Sequence, residues 1–250
     1  MERRVPSTVN KLLWLKGWLE TRFRLLFVLG VYVACLLGFR IFRSAPPHTF
    51  AAMNAADQLK AATEDGLASY AVLWAAIMFA GAGIATQTAL QMTKGLPGST
   101  LYTLSLPVSR LRLLATWASL SWLVLAGFTS VLCCGLWMTL PMLRATVAPD
   151  GIVRYAVALI VCSSGLYGIS VLLATFLDDI WRFWGSAVAF GCLWWLQDHA
   201  MPASANIIRA MSGGSPLVSQ TVPWTAMAVS LGLAAILFLM ALKIVQRREY

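Results

Sequence analysis

Residues 113–140 read LLATWASLSWLVLAGFTSVLCCGLWMTL, an apolar run without a charged side chain. A helix needs ~20 mostly apolar residues to cross the ~30 Å hydrocarbon layer of a bilayer. This run is long enough. Its flanks agree with that reading, because Arg110 and Arg112 stand just before it and Pro141 just after it.

Working outward, comparable runs occur at about 25–41, 67–90, 155–177, 183–199 and 223–243, which makes six expected spans. Six spans account for roughly 120 residues and leave the remainder for loops and ends. The 250-residue chain has 59% apolar residues, 12% charged residues and a mean hydropathy of +0.74. The charged fraction is about half the ~25% of globular proteins. Such a chain is not a secreted disulfide scaffold, a disordered tail or an ordinary cytosolic enzyme. The expected fold is all-α, a single transmembrane domain over 1–250 with six helices.

Proline and tryptophan support the span positions independently. Pro6, Pro46, Pro47, Pro97, Pro107, Pro141, Pro149, Pro202 and Pro216 fall outside the spans, and Pro223 opens the last. Proline breaks helices unless neighbours compensate. Trp14, Trp18, Trp117, Trp137, Trp181, Trp184, Trp194, Trp195 and Trp224 fall at expected water–lipid boundaries, with Trp74 and Trp122 deeper. The amphipathic indole favours those boundaries.

The net charge of +9 is placed at the edges of apolar runs, where it orients a membrane protein instead of binding nucleic acid. With the N-terminus inside, 13 of the 19 Lys and Arg residues lie on the inner side and 6 on the outer. Arg22, Arg110, Arg112, Arg182, Lys243 and Arg247 belong to the inner set, and Arg154 and Arg209 to the outer. Both termini then face the cytoplasm, and the location implied is the plasma (inner) membrane. No cleavable signal peptide is expected, since the first apolar run begins near Leu25 behind a basic helix-like segment.

That segment, 8–22, contains VNKLLWLKGWLETR over 9–22. Leu12, Leu15 and Leu19 share a helical face with Trp14 and Trp18 nearby, opposite Asn10, Lys16, Gly17 and Glu20. A helix along the inner membrane surface follows, with the stems of Lys11 and Arg22 snorkelling.

Chemistry-bearing residues are scarce. The cysteines Cys35, Cys133, Cys134, Cys162 and Cys192 all lie in apolar stretches without CxxC or histidine spacing, so they read as lipid- or helix-facing residues and no metal site is expected. No span has a charge near its middle, which leaves no driving-ion site of the kind that coupled transporters use. The histidines are His48 and His199. Ser163 or Ser164 with His199 is the nearest arrangement to a serine hydrolase. Ser163 lies roughly 12 Å below the surface by helical rise, however, whereas His199 is at the outer end of its span. Ser163 and Ser164 read instead as packing residues with Gly165 and Gly168, because small residues let membrane helices approach closely. Asp178 and Asp179 read as a solvated inner turn beside Trp181 and Arg182. GxxxxGK[ST] is absent, so the chain by itself has no phosphate-binding loop for ATP.

The inner loop 91–112 reads QMTKGLPGSTLYTLSLPVSRLR. Gly95, Pro97 and Gly98 stop the second span, and Ser99 is placed to cap a short surface helix running to Leu104. Pro107 suits the first turn of the next helix. The loop can be a plain capped turn with positive inner residues, or a docking element.

The stretch TLSLPVSRLRLL at 103–114 resembles the segment of type-two ABC exporter permeases in which a coupling helix precedes Leu-Pro-Val-Ser-Arg. The matching residues are Leu104, Leu106, Pro107, Val108, Ser109 and Arg110. The layout is similar too: a surface helix, six spans, both ends inside, an outer segment at about 200–222, and the ending Arg247-Arg248-Glu249-Tyr250. The chain departs from the family at Met92-Thr93-Lys94-Gly95 and Pro97-Gly98-Ser99-Thr100, where members often carry Glu-x-x-Gly-Thr. The outer loop at about 42–66, with Asp57, Lys60, Glu64 and Asp65, reads as a solvated linker or a small surface helix.

The resemblance implies a permease subunit that pairs with a second copy or a related permease and rests on separate ATPase subunits. These use the ATP, so the chain itself needs no cofactor and is not an enzyme. It implies coupling through Thr100, Leu101, Tyr102, Thr103, Leu104, Ser105 and Leu106, with Pro107 and Arg110 fixing the turn. The path would be lined by spans one, two and five. Thr86, Gln87 and Thr88 are candidates to face it, or else are helix–helix hydrogen-bonding groups. Two alternatives stand beside this reading: a non-transporting anchoring or assembly subunit, and an intramembrane hydrolase.

Overall fold

A computed structural model describes residues 14, 15, 18, 22, 25–33, 67–79, 110–139, 147–177, 179–211 and 221–247. Every regular element among them is an α-helix: α1 (25–33), α2 (Leu67–Phe79), α3 (Arg110–Thr139), α4 (Pro149–Ala174), α5 (Asp179–Ala200), α6 (Ile207–Met211) and α7 (Trp224–Arg247). Residues 14, 15, 18 and 22 are helical as well, with Trp14, Leu15 and Trp18 exposed.

Among the described residues, three helices are long and apolar enough to cross a bilayer: Leu114–Met138 within α3, Pro149–Ala174 and Trp224–Arg247. This is half the expected six. Helix α5 has 22 residues, but Asp179, Arg182 and Asp198 make it more polar than the other three. Of the first two expected spans, the described parts are α1 and the 13 residues of α2, too short alone to cross.

The helices run past the boundaries expected from hydropathy. Helix α4 begins at Pro149, not near 155. Proline at its first position loses no intrahelical bond, and Ala148 precedes it in extended conformation (φ −64°, ψ 154°). Asp150 then meets Arg154 one turn on. Helix α5 likewise starts at Asp179 and α7 continues to Arg247. Polar first and last turns belong to the interface, so hydropathy alone shortens each helix.

Helix α4 is the hub of the bundle, with fourteen buried residues between Ile152 and Ala174. Its tightest neighbour is α7. The Gly165 amide donates to Ser230 Oγ at 3.0 Å, and that hydroxyl lies 2.7 Å from the Cys162 carbonyl. A Cβ at Gly165 would stand 2.8 Å from Ser230 Oγ, and one at Gly168 3.1 Å from Ala234 Cα. The expected packing role of Ser163, Ser164, Gly165 and Gly168 is seen directly: all four are buried in α4, and both glycines lie against α7. Elsewhere Phe128 of α3 meets Phe79 and Tyr32 edge-on, and the Tyr32 hydroxyl donates to the Leu132 carbonyl at 3.2 Å.

One end of the bundle is closed by short-range polar links. Trp137 Nε1 donates to the Val147 carbonyl (3.2 Å), and the Tyr155 hydroxyl to the Met211 carbonyl (3.1 Å). Asn206 Oδ1 accepts the Arg209 amide at 3.0 Å and so caps α6, while Gln197 Oε1 accepts the Ile208 amide at 3.3 Å. Ile207, Ala210 and Met211 are buried, so this part of the 200–222 segment is a fixed element of the bundle. The end of α3, the start of α4, the end of α5 and the start of α7 therefore meet at the α6 end. Arg110, Asp179 and Arg247 lie at the other.

Candidate functional site

Among the expected coupling residues, Arg110 is described, and it is the first residue of α3. Thr100, Leu101, Tyr102, Thr103, Leu104, Ser105, Leu106 and Pro107 lie outside the described residues, as do Thr86, Gln87 and Thr88. Helix α3 is continuous for 30 residues, roughly 45 Å at 1.5 Å per residue. Thr116 Oγ1 bonds back to the Arg112 carbonyl at 2.8 Å across the point where the membrane span begins. Whatever moves Arg110 is thus joined by one rigid element to the far end of the bundle.

The hydrolase arrangement is not assembled. The Ser163 and Ser164 hydroxyls donate to Ile160 and Val161 of their own helix, at 3.0 and 2.6 Å. His199 is exposed at the end of α5, stacked on Trp195 and bonded through Nδ1 to the Trp195 carbonyl at 2.9 Å.

The structure instead brings together polar groups that sequence reasoning did not associate. Helix α5 is inside out relative to a soluble helix. Arg182, Ser186 and Gln197 are buried, whereas Trp181, Trp184, Val188 and Trp195 are exposed. Arg182 had the sequence signature of an interfacial anchor, yet it is 4% exposed. Trp181 beside it is 67% exposed and is the residue that does face outward. Steps of four residues place Arg182 and Ser186 on one face, and that face meets α4.

There the Tyr167 hydroxyl donates to the Ala118 carbonyl of α3 at 2.7 Å, Ser121 hydrogen-bonds to Tyr167, and Arg182 lies within electrostatic reach of the phenol. Ser121, Tyr167 and Arg182 so lie together where α3, α4 and α5 meet, and Ser186 is buried one turn beyond Arg182 on the same helix. By helical rise Ser186 is roughly 10 Å from the Asp179 end. Trp117, a turn before Ser121, is also buried, although its sequence position suggested a water–lipid boundary. The legible signal was the spacing of Arg182, Ser186 and Gln197 against four exposed residues of α5; what it needed was knowledge of which side α4 occupies.

Among the described residues no group of three or more His, Cys, Asp or Glu side chains is placed to hold a metal ion. Comparison of the chain with family models, with curated proteins and with solved structures gives no match.

Proposed function

We propose that this chain is the membrane-spanning permease subunit of an ATP-driven exporter, working as a pair of permeases on two ATPase subunits. The observation that carries the reading is the continuity of α3 from Arg110 to Thr139, directly after the Leu-Pro-Val-Ser-Arg stretch. In this reading the 99–106 segment seats in the ATPase, and nucleotide-driven closure moves it. Because Arg110 starts a continuous helix, the displacement tilts the bundle and switches access between membrane faces. ATP is hydrolysed in the partner.

Six spans complete the reading, with residues 25–41, 67–90 and 183–199 joining the three helices already long and apolar enough. Charge supports the orientation. Among the described residues, Arg110, Arg112, Arg182, Lys243 and Arg247 belong to the end remote from α6, and Arg154 and Arg209 to the α6 end. By the positive-inside rule the former is cytoplasmic, and the chain resides in the plasma membrane with both termini inside. The inward polar face of α5 suits a helix beside a path, with Thr86, Gln87 and Thr88 as further lining.

Purification of the tagged chain from its host in mild detergent tests the proposal. A stoichiometric ATPase subunit is expected, with hydrolysis that falls when Pro107 or Arg110 is replaced by alanine. If no ATPase accompanies the chain while other membrane complexes stay intact, the permease reading fails, and a non-transporting anchoring subunit takes its place.

A further inference from the structure

We propose that the outward face of α7 holds an anionic phospholipid, with its headgroup at Lys243 and Arg247 and its acyl chain along the apolar stripe that precedes them. The inference needs only that α7 lies in a bilayer, and it stands apart from the transport reading.

The first ground is the face itself. The buried residues of α7 are Ala226, Met227, Ser230 and Ala241, and Ser230 fixes that side against α4. With 3.6 residues per turn, Ala228, Gly232, Ala235, Leu239, Lys243 and Gln246 stand on the opposite side, and all six are exposed. A Cβ at Gly232 would meet nothing within 4 Å. No described part of the bundle therefore covers the middle of this face.

The second ground is charge. Lys243 and Arg247 are one turn apart and both exposed. Helix α7 contains no acidic residue, and neither cation is in an ion pair among the described residues. Arg248 and Glu249, next in sequence, cancel in charge. Like charges at this spacing repel each other, with their Cβ atoms ~5–6 Å apart. A phosphate group between them removes the repulsion, because the guanidinium fork takes two oxygens and the ammonium another.

The third ground is depth. From Trp224, exposed at the opposite end of α7, to Lys243 is roughly 28 Å by helical rise. That is close to the ~30 Å of a hydrocarbon layer. An indole favours one boundary, so Lys243 reaches the other, with Arg247 a turn beyond it among the headgroups. Cations and apolar stripe share one face. A lipid whose phosphate rests at Lys243 runs its chain back over Leu239, Ile236 and Ala235, all exposed.

Charge also selects the occupant. A second copy packed here about a two-fold axis along the membrane normal would set Lys243 against Lys243 at one depth, with no acid on α7 to offset them. A zwitterionic lipid brings no net charge. An anionic phospholipid supplies tail, phosphate and net negative charge together.

The test uses the full chain in detergent micelles. Phosphatidylglycerol and phosphatidylcholine with the same acyl chains are titrated in turn, and bound lipid is counted by native mass spectrometry. A cation near an anionic headgroup layer is worth about a factor of five in binding. Saturable binding of phosphatidylglycerol over phosphatidylcholine is expected, about fivefold weaker in Lys243→Gln or Arg247→Gln and about thirtyfold weaker in the double variant. Arg154→Gln should bind as the wild type does, because Arg154 is at the other end and pairs with Asp150. Both α7 cations are exposed, so their variants keep the fold, and an unchanged unfolding midpoint verifies it. Equal binding of the two lipids, or a double variant as tight as the wild type, overturns the proposal. So does an Arg112→Gln loss as large as that of the double variant, since the preference would then belong to the charge of the whole end. Leu239→Cys that forms a disulfide-linked dimer under mild oxidation, beyond the wild-type level, would place a second copy on the face and overturn it as well.

Discussion

The Gly165 amide and the Ser230 hydroxyl meet at 3.0 Å, and that contact fixes how closely α4 and α7 approach. The proton of the hydroxyl is engaged as well, donated towards the Cys162 carbonyl at 2.7 Å and the Val161 carbonyl at 3.0 Å. One small side chain thus links three backbone groups of the neighbouring helix. Apolar side chains gain little by preferring a helix to lipid, and contact distance is what holds such helices together.

Substituting Gly165 by alanine should therefore destabilise the bundle by ~1–3 kcal/mol. Its new Cβ meets Ser230 Oγ at 2.8 Å and the Ser230 carbonyl oxygen at 3.2 Å. Gly168→Ala should act alike, since Ala234 Cα is backbone and has nowhere to yield. Gly232→Ala is the control, as nothing lies within 4 Å of its position. Thermal unfolding in detergent should show lower midpoints for the first two and no loss for the third. Equal loss in all three would mean that glycine content matters, and not this crossing.

Loss of the Asn206 cap gives a local effect. Asn206 Oδ1 holds the Arg209 amide while its Nδ2 reaches the Gln197 carbonyl at 3.4 Å. Asn206→Ala should cost about 1 kcal/mol and should raise hydrogen exchange at residues 207–211. Exchange in the middle of α4 should stay unchanged. A global rise would place α6 in the cooperative core instead.

Much of the helical layout was legible because membrane helices advertise themselves twice, by apolar length and by what stops them. The run at 113–140 and Pro141 did both, and Ser163 to Gly168 carried their own packing signal in residue size. The burial of Arg182 was not legible, for a physical reason. An arginine at the edge of an apolar run satisfies the positive-inside rule whether it points to water or between helices, and only the position of α4 decides. The start of α4 at Pro149 was missed because Asp150 and Arg154 neutralise each other within one turn, which hydropathy counts as two charges. Helix α6, at five residues, is too short for any period to emerge. Its anchors, Gln197 and Tyr155, come from other helices.

The four described cysteines divide by face. Cys133 and Cys162 are buried, and Cys134 and Cys192 are exposed. A lipid-soluble maleimide should modify Cys134 and Cys192 in the folded protein and reach Cys133 and Cys162 only after denaturation. Peptide mapping by mass spectrometry reads this directly. Rapid modification of Cys162 would contradict the placement of α4 at the centre.

A triple variant, Ser163→Ala, Ser164→Ala and His199→Ala, separates packing from hydrolytic chemistry. Both hydroxyls bond within α4, and the imidazole bonds within α5. Their removal should shift the unfolding midpoint by little and leave any ATPase stimulation by this chain at its wild-type level. Loss of activity with an unchanged midpoint would revive the intramembrane hydrolase.

The sharpest test of rigid coupling lies at Ala115. This residue is on the exposed face of α3, five positions after Arg110 and at the start of the membrane span. Proline there removes one backbone hydrogen bond and collides with the carbonyl four residues back, at a cost of ~3 kcal/mol or more within a helix. The damage is confined to the first two turns, because α3 is anchored further along by Phe128 against Phe79 and by Trp137 on Val147. Ala115→Pro should therefore insert and remain folded while the segment before Arg110 loses its grip on the bundle. ATPase stimulation should fall to the level of the ATPase alone, even though the partner still co-purifies. Ala115→Leu, which adds bulk on the same exposed face and keeps the helix intact, should stimulate normally. Stimulation that survives the proline would mean that α3 is not the transmitting element, and force would have to reach the bundle through another helix.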